Sequence, residues 1–382
     1  MGASVRVLHI VPRLAVRGVP RHVLDAACGL DSGRYEVEII AGRSEPGEGD
    51  LAAEARERGL VVHTVPSLQR AVHPLADLRA YRTIAGIVAA GAYDIVHTHI
   101  SKAGILGRLA ARRAGAPVVL HTYHGLTDEV GGASLKAEVF RRVERRAAGW
   151  SDALVAVSRF VARQWQDMAV GSEDQYRVVS NGIDVDHYAA GEALALAGSP
   201  RLVAVGSLTR EKGLEVALRA LAHLGGEFPD LHFYVVGDGP LRGELEALAG
   251  DLGLTARVAF VGIQQDVRPY FAGCDLALMP SLREGMGLAA VEAMAAGRAV
   301  VASRTGGLPE VVAEGETGLL VPPSDAQALA AAVAALLRDP QRRQALGRAG
   351  QARAHGAFSR QRSLAMLATV YEELLARKRG VA

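Results

Sequence analysis

Short segments rich in Val, Ile and Leu alternate with longer segments of helical period along most of the chain, and this alternation limits the folds open to it. We predict strands at 5–11, 35–41, 60–65, 94–97, 117–121, 153–157 and 177–180, and again at 201–205, 231–236, 257–261, 276–279 and 299–302. Helical patterns such as 75–89 and 102–114 fill the gaps. Strands separated by helices form parallel sheets through right-handed crossovers. The chain is therefore expected to be a doubly wound α/β protein.

The alternation pauses once, at residues 181–199, and this pause indicates a domain boundary. The segment starts with the turn signal Asn181-Gly182 and has no clear period as far as Pro200. A length of 382 residues corresponds to about two domains. We predict Rossmann-like domains at 1–185 and 186–357, and a helix over 358–382 that packs back on the first domain. Because such sheets bind ligands beyond the carboxyl ends of their strands, the expected site is a cleft between the domains.

Composition excludes several classes of protein. The 43 Lys and Arg residues nearly balance 41 Asp and Glu residues, so the net charge of +2 does not suggest a nucleic-acid-binding protein. Cys28 and Cys274 are too few for a disulfide framework and fit a reducing compartment. Residues 5–11 are too short and polar for a secretion leader, and the apolar run 328–337 is too short to span a bilayer. We therefore expect a cytoplasmic protein without a nucleic acid partner.

The most informative motif lies at residues 280–297, after a predicted strand. Its glycines allow a close approach of the backbone to a ligand where a helix starts, and the free N–H groups there can hold an anion such as a diphosphate. Glu284 and Glu292 offer carboxylates to sugar hydroxyl groups. Two surface glutamates beside an ordinary helix explain the spacing equally well when it is taken alone. A second glycine-rich loop within 300–310 favours the ligand-binding interpretation.

Taken together, these loops resemble the retaining glycosyltransferases of family 4. The resemblance rests on Glu284-x7-Glu292, on the Gly-x-Gly-Leu helix start between them and on the later Gly-Gly-Leu-Pro-Glu, and it covers nearly the whole chain. It implies the GT-B fold, with an acceptor-side first domain and a second domain that binds a nucleotide sugar. It also implies transfer of a sugar from a UDP-type or GDP-type donor to a hydroxyl acceptor, which is a sugar, a lipid-linked sugar or a small molecule. The implied reaction uses no metal ion and no other cofactor.

The resemblance implies individual roles in the second domain. Glu292 is expected to bind the donor ribose, Glu284 to contact the sugar ring in catalysis, and Lys212 to hold the diphosphate leaving group. The family often has arginine where this chain has Ser207, and Arg210 in the same loop is the candidate replacement. The remaining donor-binding positions are Gly206, Gly239, Ile263, Met286, Gly287 and Leu288.

The first domain departs further from the family pattern. The loop after the first strand keeps Gly18, an expected donor contact, but has Arg17 and Pro20 where the family has glycine and an acidic or amide residue. Arg17 is a candidate acceptor-side cation, although a solvated side chain is the alternative. His124 matches the active-site histidine of the family and is predicted to be catalytic, although a histidine at a strand end is often structural.

Residues 94–104 resemble an acceptor-side segment of the family, and His99 and Lys102 are the predicted contacts. The spacing of His97 and His99 raises the alternative of a metal site. We expect no metal there, because no carboxylate or cysteine completes a ligand set and the histidines of this region are expected to lack partners. The Asp-x-Asp sequence 184–186 resembles a metal motif of the other glycosyltransferase fold, but it lies in a predicted linker turn.

Two alternatives stay open. The basic run 141–146 is interpreted as a solvated helix face interrupted by Glu144, with a weak peripheral contact to an anionic membrane as the alternative. The rival functions are a sugar-nucleotide epimerase or phosphorylase of the same fold, and a non-catalytic protein that binds sugar nucleotides. The residues Ser207, Arg17 and Pro20, which depart from the family pattern, are the reason for keeping the last of these as an alternative. The sequence leaves the donor base, the sugar and the acceptor open.

Overall fold

A computed structural model of the chain describes residues 4–16, 18–45, 49–69, 71–126, 132 and 134–380. The chain divides into two compact units. Unit 1 is formed by Met1–Gly182 together with Arg360–Ala382, and unit 2 by Ile183–Ser359. Each unit is built on one parallel sheet.

The described residues of unit 1 form a seven-stranded sheet with helices on both faces. Its strands are β1 (Val5–Arg13), β2 (Tyr35–Gly42), β3 (Val61–Thr64), β4 (Ile95–His99), β5 (Val118–Tyr123), β6 (Ala153–Ala156) and β7 (Tyr176–Val178). Its helices are α1 (Gly18–Gly29), α2 (Ala52–Glu57), α3 (Pro74–Gly91), α4 (Ser101–Arg113), α5 (Leu135–Ala148), α6 (Arg159–Asp167) and, from the end of the chain, α15 (Arg360–Lys378). The strand order is β3-β2-β1-β4-β5-β6-β7, so β1 is an interior strand and pairs with β2 and β4.

The interior strand β1 shows how the two faces of this sheet are covered. Successive side chains of a strand point to opposite faces. Leu8 and Ile10 pack in a buried cluster with residues of α3 and α4, whereas Val7 packs in a second cluster with residues of α15. The α15 side chains in that cluster are Leu367, Val370, Tyr371, Leu374 and Leu375. Burial of each such aliphatic side chain contributes roughly 1.5–3 kcal/mol, which holds the end of the chain on unit 1.

The described residues of unit 2 form a six-stranded parallel sheet in the order β10-β9-β8-β11-β12-β13. Its strands are β8 (Arg201–Val205), β9 (His232–Val236), β10 (Val258–Gly262), β11 (Leu276–Met279), β12 (Val300–Ser303) and β13 (Gly318–Val321). Its helices are α7 (Val185–Ala189), α8 (Leu214–Leu224), α9 (Arg242–Asp251), α10 (Arg268–Gly273), α11 (Leu288–Ala295), α12 (Leu308–Val311), α13 (Ala326–Arg338) and α14 (Pro340–Phe358). Because β8 and β11 are neighbours, the loops at their carboxyl ends lie side by side.

The predicted fold class, two doubly wound parallel-sheet domains, is confirmed. Every predicted strand overlaps an observed one, whereas the short strand β13 was not predicted. The segment without clear period contains the helix α7, in which Asp184 is the N-cap and accepts a hydrogen bond from the backbone N–H of His187 at 3.1 Å. Among the described residues, no helix is both long enough and apolar enough to cross a bilayer.

Glu144, which interrupts the basic run 141–146, does not lie on a solvated helix face. Glu144 is fully buried, and its Oε2 accepts hydrogen bonds from Nη2 of Arg108 at 2.6 Å and from the hydroxyl of Tyr123 at 3.1 Å. Arg108, on α4, is also fully buried. A carboxylate without a partner in this place would be strongly destabilising, so the charge on α5 is tolerated because α4 supplies the arginine.

Candidate active site

The loop after β11 leads into helix α11, where the glycine-rich motif predicts a helix start. Gly287 is the N-cap residue and has a φ of +97°, a backbone conformation that favours glycine. Glu284 precedes the helix and Glu292 lies inside it, while Met286 is buried. The backbone N–H groups of the first turn of α11, which have no partner within the helix, therefore lie in the same loop region as Glu284.

Lys212 comes to this loop from the neighbouring strand β8. It ends the 3₁₀ turn Arg210–Lys212, and its Nζ lies 2.5 Å from Oε2 of Glu284. The hydroxyl of Ser281 donates to the same carboxylate oxygen at 3.3 Å. The side chain of Lys212 is 31% exposed, so its ammonium group stays within reach of a ligand.

Two glycines allow the loops around Lys212 and Glu284 to pack together. Gly213 has a φ of +59°, and a Cβ atom there would lie 2.2 Å from the carbonyl oxygen of Pro280. Gly306, in the loop after β12, has a φ of +60°, and its Cβ would lie 1.9 Å from the carbonyl oxygen of Glu284. Both distances are shorter than any real contact, so a side chain at either position would separate the loops.

Glu292 lies in a setting that disfavours its charged form. Burial raises the pKa of this carboxyl above its usual 4.5, while a hydrogen bond from Tyr188 and the charge of Lys212 oppose the shift. Donors brought by a ligand would favour the carboxylate and lower the pKa again. The carboxyl group is therefore suited to accept hydrogen bonds from hydroxyl groups.

The other predicted donor-binding residues of unit 2 lie in segments that follow strands of the same parallel sheet. Gly206 follows β8, and Arg210 in the 3₁₀ turn is exposed. A Cβ on Gly239 would lie 2.5 Å from the carbonyl oxygen of Leu208, so this glycine brings the loop after β9 against the loop after β8. Ile263 follows β10 with 63% of its surface exposed. Leu288 is partly buried as the first residue of α11.

In unit 1, the predicted His99 and His124 belong to one cluster of histidines, in which His99 is buried and His124 is half-buried. His99 Nδ1 lies 3.2 Å from His124 Nε2, and His99 Nε2 lies 2.9 Å from Nδ1 of His9 on β1. His97 is in the same cluster, with its ring centroid 4.3 Å from that of His99. The expectation that these histidines lack partners is wrong, because the pairing of β1 with β4 places His9 directly opposite His97.

Nitrogen atoms of His9, His97 and His99 lie within 4.8 Å of one another and could hold a metal ion. Both nitrogens of His97 are already engaged, with the hydroxyl of Tyr371 at 2.7 Å and that of Thr122 at 2.6 Å. A metal ion bound by all three rings would have to displace hydrogen bonds of His97 and the bond between His9 and His99. The geometry therefore fits a hydrogen-bonded array better than a ligand set.

Burial keeps the cluster neutral. Desolvation lowers the pKa of His9 and that of His124 to about 3, and neighbouring His22, whose own pKa is lowered to about 4, adds to the shift. The pKa values of His97 and His99 are lowered by the same burial and by the neighbouring rings. Near neutral pH these imidazoles carry one proton each, so each can donate one hydrogen bond and accept one.

The remaining predicted residues of unit 1 are less closely associated with this cluster. Lys102, at the start of α4, forms an ion pair with Asp77 and donates to the carbonyl oxygen of Ala71. Gly18 begins α1, and a Cβ atom there would meet nothing within 4 Å. Arg17 lies outside the described residues.

Sequence reasoning missed His9, Tyr188 and Tyr371 as members of these groups. His9 could have been predicted, because the doubly wound order puts the first strand beside the fourth and makes His9 and His97 cross-strand neighbours. Tyr371 lies on α15, 274 residues from His97. Neither it nor Tyr188 belongs to a local motif that points to the site.

Both halves of the chain match known family models. Residues 16–187 match glycosyltransferase family 4, and residues 192–353 match the glycosyl transferases group 1. A GDP-mannose-dependent alpha-(1-6)-phosphatidylinositol monomannoside mannosyltransferase of Mycolicibacterium smegmatis is 32% identical, over 88% of this chain and 90% of the relative. A D-inositol 3-phosphate glycosyltransferase of Acidothermus cellulolyticus is 31% identical, over 100% of this chain and 87% of the relative.

Solved structures share the fold over almost the whole chain. The Anabaena protein HepE, in complex with UDP and glucose, superposes with a TM-score of 0.83 at 22% identity and covers 97% of this chain and 100% of its own. Sucrose-phosphate synthase of Thermosynechococcus elongatus gives a TM-score of 0.82 at 25% identity, over 98% and 100% of the two chains. The two parallel-sheet domains are thus those of the GT-B fold.

Proposed function

The chain belongs to glycosyltransferase family 4, and we propose that it is a retaining, metal-independent enzyme that transfers a sugar from a nucleoside diphosphate donor to a hydroxyl acceptor. The donor is of the UDP or GDP type. The alternatives are an epimerase or phosphorylase of the same fold and a non-catalytic sugar-nucleotide-binding protein.

The observation that carries this proposal is the group formed by Lys212, Glu284 and Glu292 at one end of the unit 2 sheet. Lys212 touches Glu284 and acts electrostatically on Glu292, and helix α11 starts in the same loop region. A nucleotide sugar presents a diphosphate for the lysine and the helix start, and hydroxyl groups for the carboxylates. Preorganised positive charge at the diphosphate would stabilise the leaving group as the bond to the sugar breaks.

In unit 1, His124 is the proposed catalytic contact to the donor sugar, and His99 and Lys102 belong to the acceptor side. Nδ1 of His124 is buried and, within the described part of the chain, has no hydrogen-bond partner. A buried polar atom of this kind destabilises a protein unless something bonds to it. A sugar hydroxyl group is a suitable partner, because it both donates and accepts.

The acceptor class is proposed from the relatives. Relatives that are 31–34% identical to this chain are named for reactions on D-inositol 3-phosphate or on phosphatidylinositol derivatives. We propose that the acceptor hydroxyl belongs to an inositol or to a sugar already linked to one. The basic residues around Glu144 also suggest a weak peripheral contact with an anionic membrane, which should be tested together with a lipid-linked acceptor.

The test has two stages. A thermal-shift panel of UDP-sugars and GDP-sugars first identifies the donor, because a ligand that binds the folded state raises the melting temperature. The selected donor is then incubated with inositol phosphates and phosphatidylinositol in excess EDTA. We expect release of the nucleoside diphosphate only when an acceptor is present, and NMR of the first product should show the anomeric configuration of the donor retained.

Each alternative predicts a different result. An epimerase changes the sugar nucleotide without releasing nucleoside diphosphate, a phosphorylase requires phosphate, and a binding protein shifts the melting temperature without turnover. An inverted product would refute the retaining mechanism. Activity that is lost in EDTA and restored by Mg²⁺, Mn²⁺ or Zn²⁺ would refute metal independence, and His9 with His97 and His99 would be the first place to look for the ion.

A further inference from the structure

Three histidines of unit 1 are joined end to end by hydrogen bonds between their rings. Nδ1 of His9 pairs with Nε2 of His99 at 2.9 Å, and Nδ1 of His99 pairs with Nε2 of His124 at 3.2 Å. The two free ends are Nε2 of His9 and Nδ1 of His124, which are both buried and without a partner among the described residues. We call this set of three residues the histidine chain.

The protons of the histidine chain can be counted. Burial lowers the pKa of all three rings far below neutrality, so each ring carries one proton. Each of the two N···N hydrogen bonds needs one proton between its nitrogens. If His99 carries its proton on Nδ1, it donates to His124 and must accept from His9. If it carries the proton on Nε2, both bonds reverse.

Only two arrangements satisfy both hydrogen bonds. Either all three rings carry the proton on Nδ1, or all three carry it on Nε2. In the first arrangement Nδ1 of His124 is a donor, and in the second it is an acceptor. Conversion moves one proton along each N···N bond, while one proton leaves Nδ1 of His124 to water or a ligand hydroxyl and water supplies another to Nε2 of His9. The rings hold three protons before and after.

His97 does not belong to the histidine chain, although its ring packs against that of His99. Its partners are the hydroxyl groups of Thr122 and Tyr371, and a hydroxyl can rotate to donate or to accept. His97 therefore tolerates either tautomer. His99 has a histidine on each side, so its tautomer fixes those of its neighbours.

We propose that His9 and His99 are positioning residues that decide whether Nδ1 of His124 donates or accepts a hydrogen bond at the bound sugar. The proposal rests on the proposed catalytic role of His124 and adds the residues that set its tautomer. Oxygens without a proton, such as a ring oxygen or a phosphate oxygen, require Nδ1–H on His124, whereas the opposite arrangement suits a hydroxyl that donates. The ligand thus selects one of two states of all three rings.

The far end of the histidine chain borders a cavity. His9 lines a cavity of about 30 Å³ whose wall includes the polar residues His22, Asp25 and Asn181. A cavity of this volume has room for about one water molecule, which can complete the hydrogen bonding of a buried imidazole. A change in the hydrogen bonding of His9 should therefore change the tautomer of His124 through His99, although His9 makes no hydrogen bond to His124.

The tautomers are measured directly by two-bond ¹H–¹⁵N correlation spectra of histidine-labelled protein, with and without the nucleotide sugar. We expect His9, His99 and His124 to carry their protons on the same nitrogen type in each state. Mixed tautomers, or a cationic ring at neutral pH, would overturn the proposal. This readout needs no turnover, so concerted tautomers in an inactive protein would count against the proposed function but not against the histidine chain.

The variant His9→Phe tests which tautomer the other two rings adopt when His9 is removed. It removes the partner of Nε2 of His99, and a buried N–H without an acceptor is less tolerated than an acceptor without a donor. We expect His99 and His124 both to take the Nδ1–H form, with and without the sugar nucleotide. If the wild type with bound sugar nucleotide carries Nε2–H, kcat should fall about tenfold with the donor KM changed less than twofold; if it carries Nδ1–H, kcat should stay within twofold of the wild type. A proton on Nε2 of His99 or of His124 in this variant would contradict the proposal.

His121→Asn is the matched control. His121 is equally buried on β5, bonds Thr98 on the opposite face of the sheet and lies outside the histidine chain. It should leave the tautomers of the three rings as they are in the wild type. If His9→Phe does not fold, the wild-type spectra alone still decide between concerted and mixed tautomers.

Discussion

Nζ of Lys212 lies 2.5 Å from Oε2 of Glu284, although 72 positions separate the two residues in the sequence. They meet because β8 and β11, whose loops carry them, are neighbours in the sheet of unit 2. The side chains are 31% and 17% exposed, so the ion pair contributes at most about 0–1 kcal/mol to stability. The ion pair matters more for ligand binding, because an incoming diphosphate must compete with Glu284 for the ammonium group of Lys212.

The first prediction separates the roles of these two residues. Lys212→Ala should weaken binding of the nucleoside diphosphate by about tenfold or more, because a charge-assisted hydrogen bond of roughly 1.5–3 kcal/mol is lost. Binding of the nucleoside should not change. Glu284→Gln should leave nucleoside diphosphate affinity equal or higher, since the competing charge is gone, and should lower kcat with the sugar nucleotide. Isothermal titration calorimetry and initial rates check these effects.

Two variants complete this series. Arg283→Ala removes a cation in the same loop that is paired with Glu211, and it should leave diphosphate affinity unchanged. Arg210→Ala tests whether the exposed arginine replaces the one missing at Ser207. An equal loss of nucleoside and nucleoside diphosphate affinity in Lys212→Ala would mean that the lysine is structural.

The second prediction concerns the pH dependence of donor binding through Glu292. Its pKa is raised in the free protein, chiefly by burial, and ribose hydroxyls donate hydrogen bonds that favour the carboxylate. Affinity should therefore fall as the pH drops through this raised pKa, beginning above the 4.5 of an ordinary glutamate. The intact sugar nucleotide is the right probe, because it lacks the phosphate monoester that titrates near pH 6.

Glu292→Gln is the matched variant for this measurement. It should bind the sugar nucleotide about tenfold more weakly at pH 7, and its affinity should vary less between pH 7 and pH 5 than that of the wild type. A pH profile identical to that of the wild type would exclude Glu292 as the titrating group.

Much of the fold was predictable because the hydrophobic period of an element and the turn residues at its ends are local properties of the sequence. Each strand of the two sheets except β13 carries a β-branched or leucine-rich run between helical segments, and the glycines before α11 mark its start. Strand β13, Gly318–Val321, is no shorter than β11 or β12, but it follows the turn Glu314–Thr317 and the four-residue helix α12, so no helical segment of the usual length marks its start.

The histidine chain and the buried ion pair were not predicted, for a common physical reason. Each depends on a partner that folding brings from far along the chain: 90 residues separate His9 from His99, and 36 separate Arg108 from Glu144. A helix with four arginines around one glutamate has the composition of a solvated face. Whether that glutamate is buried depends on the residue that α4 presents to it.

The third prediction concerns this buried pair. Glu144→Ala leaves the guanidinium of Arg108 without its carboxylate in a buried place and should reduce the free energy of unfolding by about 3–5 kcal/mol. The double variant Arg108→Leu with Glu144→Leu should recover most of that loss, because it removes both charges. Glu138→Ala, on the same helix but with arginine partners that all keep contact with solvent, is the control and should have a much smaller effect. Urea unfolding checks all three, and a small loss in Glu144→Ala would mean that water reaches Arg108.

The last prediction is that unit 1 loses stability in mild acid because of its buried histidines. The pKa values of His9 and His124 are lowered to about 3 and that of His22 to about 4, all chiefly by burial, whereas unfolded histidine titrates near 6.5. Between these limits the unfolded chain binds more protons, so stability is complete above pH 6.5 and falls as the pH drops toward 4. Each such histidine should remove ~1 kcal/mol from the free energy of unfolding of unit 1 between pH 7 and pH 5.5.

Both tryptophans, Trp150 and Trp165, lie in unit 1, so fluorescence during urea unfolding follows this unit. His22→Gln should make the pH dependence shallower by about one proton, and His223→Gln, an exposed position in unit 2, should not change it. A midpoint that stays constant from pH 7 to pH 5.5 would show that these histidines take up protons in the folded state as readily as in the unfolded chain, and the neutral histidine chain would be refuted with it.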